Sequence, residues 1–200
     1  AARQGAYVLH FSTDFVFPGT HGAAYCEADT PAPINTYGRS KLAGEVALRE
    51  SGAQHAILRL AWTYGAGQRH FVGKLLQRAS QQPVVRMVSD QVGASTWTRQ
   101  VARAVPLLLA ERVTGLYHCT AAGNATRYEI ADFVLRYLNW PVHLLPCLTA
   151  DFPAPAARPL NSRLNCDRLL ARVPWRQRHW RDALAQYLDE ASWQLPTRSW

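Results

Sequence analysis

The chain has 200 residues, 48% of them apolar and 18% charged. That is long and apolar enough to bury a core, and it excludes a disordered polypeptide or a small secreted scaffold. The charge of +8 sits on scattered arginines spread evenly over both halves, a pattern better matched to a small anionic substrate than to a dedicated nucleic-acid surface.

Residues 1–5 read as a last helical turn closed by Gly5, and 7–12 as a short buried strand. Pro18, Gly19, Gly22, Pro31 and Pro33 break up 15–35 into an irregular loop. A helix is predicted from Asn35 or Thr36 to about Glu50, closed by Ser51 and Gly52. A strand over 55–60 follows, then a turn at 62–65, a helix over 71–81 stopped by Pro83, and an extended segment over 84–88. Residues 98–110 read as a helix that Pro106 either kinks or ends early. Residues 115–119 are strand-like and 127–138 form an amphipathic helix. The Pro-rich stretch 151–159 leads into an extended 161–165, and helical pieces over 167–172 and 178–190 finish the chain.

Strand, helix, strand, helix in the first hundred residues is the rhythm of a parallel sheet. The fold class is therefore α/β, a nucleotide-type parallel sheet with a smaller mixed lobe that holds substrate. Cys26, Cys119, Cys147 and Cys166 lack the close pairs that hold zinc, so a reducing, cytoplasmic compartment is expected. The longest apolar run, 105–110, is too short to span a bilayer, and no membrane association is expected.

The sharpest local feature is Tyr37-Gly38-Arg39-Ser40-Lys41. Four-residue spacing puts Tyr37 and Lys41 on one helix face, one turn apart. An ammonium beside a phenol favours the phenolate, so the phenol can give its proton to a developing alkoxide and recover it later. A surface lysine with an interfacial tyrosine fits the same pair. Ser12 and Thr13 lie at the carboxyl end of the first strand, where open parallel sheets place ligands. Their hydroxyls can donate to a carbonyl oxygen or simply cap the loop that follows, and Asp14 can anchor loop amides.

The run 12–19, Ser-Thr-Asp-Phe-Val-Phe-Pro-Gly, and the run 33–45, through Tyr37, Lys41 and Glu45, resemble the extended short-chain dehydrogenase/reductases. More narrowly they resemble the dTDP-4-dehydrorhamnose reductase family. Further matches are Arg59-Leu60-Ala61-Trp62 with Tyr64-Gly65, Asp90-Gln91-Val92-Gly93, Gly115-Leu116-Tyr117-His118 and Arg158-Pro159-Leu160-Asn161-Ser162. The resemblance implies a doubly wound Rossmann-like sheet, with 1–110 the remaining part of that domain and 111–200 mainly the substrate lobe. Residues 65–100 would contribute to the cleft.

By the same resemblance the activity is reduction of the 4-keto group of a dTDP-linked 6-deoxysugar, with hydride from NADPH or NADH. Tyr37 is then the catalytic acid. Lys41 holds the nicotinamide ribose, Thr13 orients the carbonyl, and Ser12 lies near the cofactor. Trp62, His70 and Arg158 fall on the substrate side. A homodimer, and a Mg2+ ion at a subunit contact with no ligand assigned here, belong to the same resemblance. An epimerase or dehydratase of the same fold, and a non-catalytic scaffold subunit, are the competing readings.

Some positions depart from the family pattern. Phe15 stands where a second tyrosine is usual, Ser95 where proline precedes Thr96, and His70 where asparagine precedes Phe71. The glycine-rich turn that would cradle the cofactor pyrophosphate is not in the sequence. Gly65 and Gly67 lack the third glycine. About ninety residues of a typical member are expected to be missing ahead of Ala1. The remainder is expected to expose an unpaired parallel edge and a sheet face without a helix, and to be inactive alone.

Overall fold

The computed structural model describes residues 1–152, 154–191 and 196. Strand β1 (Val8–Thr13) runs parallel to β2 (His55–Leu60), which runs parallel to β7 (Gly115–His118), in the order β1-β2-β7. Helix α1 (Thr36–Glu50) makes the crossover between the first two strands, and α3 (Thr98–Ala110) precedes the third. This is a Rossmann-like parallel sheet with its helices on the faces.

Alternation along β2 decides what each face meets. Leu58 and Leu60 join Val101, Ala104 and Leu108 of α3, and Leu169 of α5 (Asp167–Arg172), in one core. Arg59 points the other way, onto α1. Both faces therefore carry a helix, which corrects the expectation of a bare face: α3 and α5 close one side and α1 the other. The edge behaves as expected. β1 pairs only with β2 among the described strands, and Phe11 on it is 43% exposed.

Local signals start and stop these elements. Asn35 caps α1 through Oδ1, which accepts from the Gly38 N–H at 2.8 Å. Gly38 lets the first turn of α1 approach the strand-end loop, because a Cβ there would stand 2.1 Å from the Phe15 carbonyl oxygen. Pro106 neither ends nor shortens α3, which continues to Ala110.

A second, larger core joins α2 (Phe71–Gln81), α4 (Arg127–Tyr137) and α6 (Trp180–Glu190) around β4 (Val84–Val88). Leu75, Leu76, Val85, Ile130, Val134, Trp180 and Leu184 are all buried there. β4 pairs in parallel with β9 (His143–Cys147), a strand the sequence reading does not include. Its Pro146 and mostly exposed side chains hide the usual alternation. Of the predicted stretch 161–165, only β10 (Asn161–Ser162) is a strand; it lies parallel to β5 (Val92–Gly93). The Pro-rich stretch includes Pro153, which lies outside the described residues.

Candidate active site

The carboxyl end of β1 turns directly into a short 3-10 helix, Asp14–Val16. Thr13 caps that turn: its Oγ1 accepts from the Phe15 N–H at 3.2 Å and donates to Asp14 Oδ1 at 2.9 Å. Helix α1 starts beside it. Tyr37, 55% exposed, presents its ring edge-on to Phe15 with centroids 5.9 Å apart. One turn on, Lys41 Nζ donates to the Phe11 carbonyl at 2.5 Å. Thr13, Tyr37, Lys41 and Trp62 line a single cavity of about 340 Å³. The structure thus brings together the phenol, the ammonium and the strand-end hydroxyl named from sequence.

Ser12 also borders this cavity, but its hydroxyl donates to Glu45 Oε1 at 2.5 Å. Glu45 lies two turns beyond Tyr37 on the same stripe of α1. Its carboxylate takes a two-pronged grip from Arg59 of β2, Nε at 2.9 Å and Nη2 at 2.7 Å, with both side chains essentially inaccessible. Burial pushes the Glu45 carboxyl up. The hydrogen bonds from Arg59 and Ser12 and the charges of Arg59 and Arg49 outweigh that and hold it below the usual range. The bridge fastens the helix that carries Tyr37 and Lys41 to both neighbouring strands.

Trp62 follows β2 with φ of 45°, a left-handed backbone that costs a non-glycine residue of order 1–3 kcal/mol. Gly93 makes room for its indole, since a Cβ there would lie 2.8 Å from the ring. On the indole sits Arg127, its guanidinium carbon 3.6 Å from the ring centroid and 4.7 Å from that of Phe71. Arg127 opens α4, behind a capping box formed by Thr126 and Glu129. Sequence reasoning places it only as a helix start. The signal it missed is that a cation at a helix N-terminus opposes the helix dipole.

Arg158 lines a second cavity of about 350 Å³, together with Arg78, Arg86, Arg127, Met87 and Phe152. No acidic residue is among its described lining. His70 lines neither cavity. Its Nδ1 accepts from the Gly73 N–H at 3.2 Å, capping α2, while Nε2 meets the Gly67 carbonyl at 2.8 Å and the Tyr187 hydroxyl at 3.2 Å. Burial holds His70 below the usual histidine range, which suits a cap that needs a free lone pair. Among the described residues no group of three or more His, Cys, Asp or Glu could hold a metal ion, and no helix is long and apolar enough to cross a membrane.

Two buried groups near the site respond to acid in opposite directions. Burial raises Asp14 to about 6 against the pull of the Ser162 and Thr13 hydroxyls and the charge of Arg127. Its contribution to stability is present below the ordinary carboxylate value and lost as pH rises through 6. His118, on β7, is lowered to about 4, first by burial and then by the charge of Arg59. Its contribution is present above the ordinary histidine value and lost as pH falls toward 4. Each is worth about 3 kcal/mol, so between pH 4 and 7 they largely cancel. Asp14→Asn should expose the histidine alone, steepening acid destabilisation by about 3 kcal/mol between pH 7 and 4. Urea unfolding across that range measures it; a slope no steeper than the parent's would refute the assignment.

Comparison with known proteins identifies the family and the fold. The model for the RmlD substrate binding domain matches residues 1–193. The dTDP-4-dehydrorhamnose reductase of Escherichia coli K12 is 36% identical over 203 residues, covering 95% of this chain and 67% of the relative. The crystal structure of the Clostridium acetobutylicum dTDP-4-dehydrorhamnose reductase superposes with a TM-score of 0.90 at 33% identity, over 94% of this chain and 67% of that one. That of Bacillus anthracis, solved in complex with NADP, gives 0.89 at 31% identity with the same coverage. The chain therefore spans about two thirds of the length of these relatives. A Rossmann-like parallel sheet with a Tyr-x-x-x-Lys helix at its strand ends is the architecture of the short-chain dehydrogenase/reductases. The chain belongs to the dTDP-4-dehydrorhamnose reductase family of NAD(P)-dependent oxidoreductases.

Proposed function

We propose that this chain supplies the proton-transfer residues and the nucleotide-sugar site for reduction of the 4-keto group of a dTDP-linked 6-deoxysugar, as in dTDP-4-dehydrorhamnose to dTDP-rhamnose. The observation that carries this reading is the single cavity in which Tyr37, Lys41 and Thr13 converge. The half-open rim at Tyr37 and Lys41 suits a nicotinamide ribose, because both side chains offer polar atoms to one opening. When bound, NADPH or NADH supplies the hydride to the carbonyl carbon. The Tyr37 hydroxyl gives its proton to the carbonyl oxygen, so the C=O π bond is replaced by one new C–H and one new O–H bond. The Lys41 ammonium spends one of its three donors on Phe11 and keeps two for ribose hydroxyls.

Thr13 has one proton, and it goes to Asp14. Orienting a carbonyl requires that proton to turn into the cavity. The second cavity, with four guanidiniums and an apolar wall of Met87 and Phe152, suits a nucleoside diphosphate, with Arg158 on the phosphates. In this reading 1–110 form the cofactor-side sheet and 111–200 mainly the substrate lobe.

The test is cofactor stoichiometry, measured on this chain fused behind a glycine-rich cofactor-binding segment with the 4-keto sugar nucleotide as substrate. One NADPH or NADH oxidised per sugar reduced is expected. Sugar conversion without net cofactor oxidation would instead identify an epimerase or dehydratase. Failure of that fusion to bind cofactor would make the chain a non-catalytic subunit.

A further inference from the structure

The two cavities described above share one residue among those described, Arg127. On the proposed reading, one ligand occupies both, with its sugar against Tyr37 and its nucleotide among the arginines. The linkage between those halves must then pass over the Arg127 guanidinium.

Three observations say that this side chain awaits an anion. First, its Nε is buried and has no hydrogen-bond partner among the described residues, an arrangement that costs free energy unless something occupies it. Second, the guanidinium is packed over Trp62 and Phe71, its carbon 3.6 Å and 4.7 Å from the two ring centroids, which restricts how it can turn. Third, burial works against the cation and outweighs the favourable charge of Asp14. Arg158 repels it, and it stands at the positive end of α4. Asp14 offsets part of this, but its carboxyl is itself raised by burial and is bonded by Thr13. Two guanidiniums within each other's field, with Asp14 lining only the Tyr37 cavity and no acid among the described lining of the arginine-rich one, match a ligand bearing more than one negative charge.

Resting on the function proposed above, we infer that Arg127 is the specificity-determining residue that holds the sugar-proximal phosphate of the nucleotide-sugar, and so makes the site select diphosphates over monophosphates. Its rigid fork on Trp62 would then set the distance between the nucleotide and the carbonyl under attack.

Titration of the 200-residue chain with thymidine diphosphate and thymidine monophosphate, followed by calorimetry, tests this. The parent should prefer the diphosphate. Arg127→Met should weaken the diphosphate roughly tenfold to hundredfold, the usual worth of a charge-assisted hydrogen bond, and leave the monophosphate nearly unchanged. Arg127→Lys, which keeps the charge and guards against a misfolded methionine variant, should retain part of the preference. Arg158→Met should weaken both nucleotides. Equal losses for both nucleotides in Arg127→Met, or no loss in either Arg127 variant, would overturn the inference while leaving the nucleotide cavity in place. A parent chain that binds neither nucleotide would overturn the cavity assignment, and the inference with it.

Discussion

Tyr37→Phe is expected to lower kcat by roughly 10²- to 10⁴-fold, the usual worth of a positioned general acid. Phenylalanine keeps the edge-on contact with Phe15 and deletes only the oxygen that carries the proton. Since Tyr37 does not line the arginine-rich cavity, which shares only Arg127 with its own among the described residues, nucleotide affinity should be unchanged. Turnover and thymidine diphosphate binding measured on the same cofactor-segment fusion separate the two effects. A variant that still turns over normally would show that some other group gives the proton.

The second large effect is on stability. Glu45→Ala should destabilise the fold by about 3–5 kcal/mol, because it leaves the Arg59 guanidinium buried without its counter-charge. Arg59 is only 1% exposed, and its Nη1 has no hydrogen-bond partner even with Glu45 present. The variant also removes the acceptor for Ser12. Replacing both partners by methionine should recover much of the loss, since an apolar pair of similar volume carries no desolvation penalty. Chemical unfolding of the single and double variants closes the cycle. A loss below about 1 kcal/mol in Glu45→Ala would mean that the pair does not fasten α1 to the sheet. Because Tyr37 and Lys41 ride on the same helix stripe, Glu45→Gln should lower kcat more than it raises KM.

Local chemistry made several elements readable. Asn35 and the Ser51-Gly52 close bracket α1 over the predicted 36–50, and Pro83 follows the end of α2 at Gln81. The run 55–60 is a strand throughout. The same locality explains why Tyr37 and Lys41 could be paired from spacing alone: one helical turn is a property of the backbone. Thr13 joined them through a rule about strand ends rather than through any contact visible in the sequence. β9 was missed because its parallel partner, β4, lies far away along the chain, and its own residues show no buried alternation.

Residues close together along the chain were enough to place most helices and strands, the parallel rhythm and the phenol–ammonium pair. All of these follow from dihedral preference, capping and periodicity within a few residues. Folding alone commits Ser12 to Glu45, brings His70 to the Tyr187 hydroxyl, and stands Arg127 where two cavities meet. Those outcomes depend on burial and on partners tens of residues away. A charge or hydroxyl acquires its role from the field and the donors that folding brings to it, and neither is written in its neighbours along the chain.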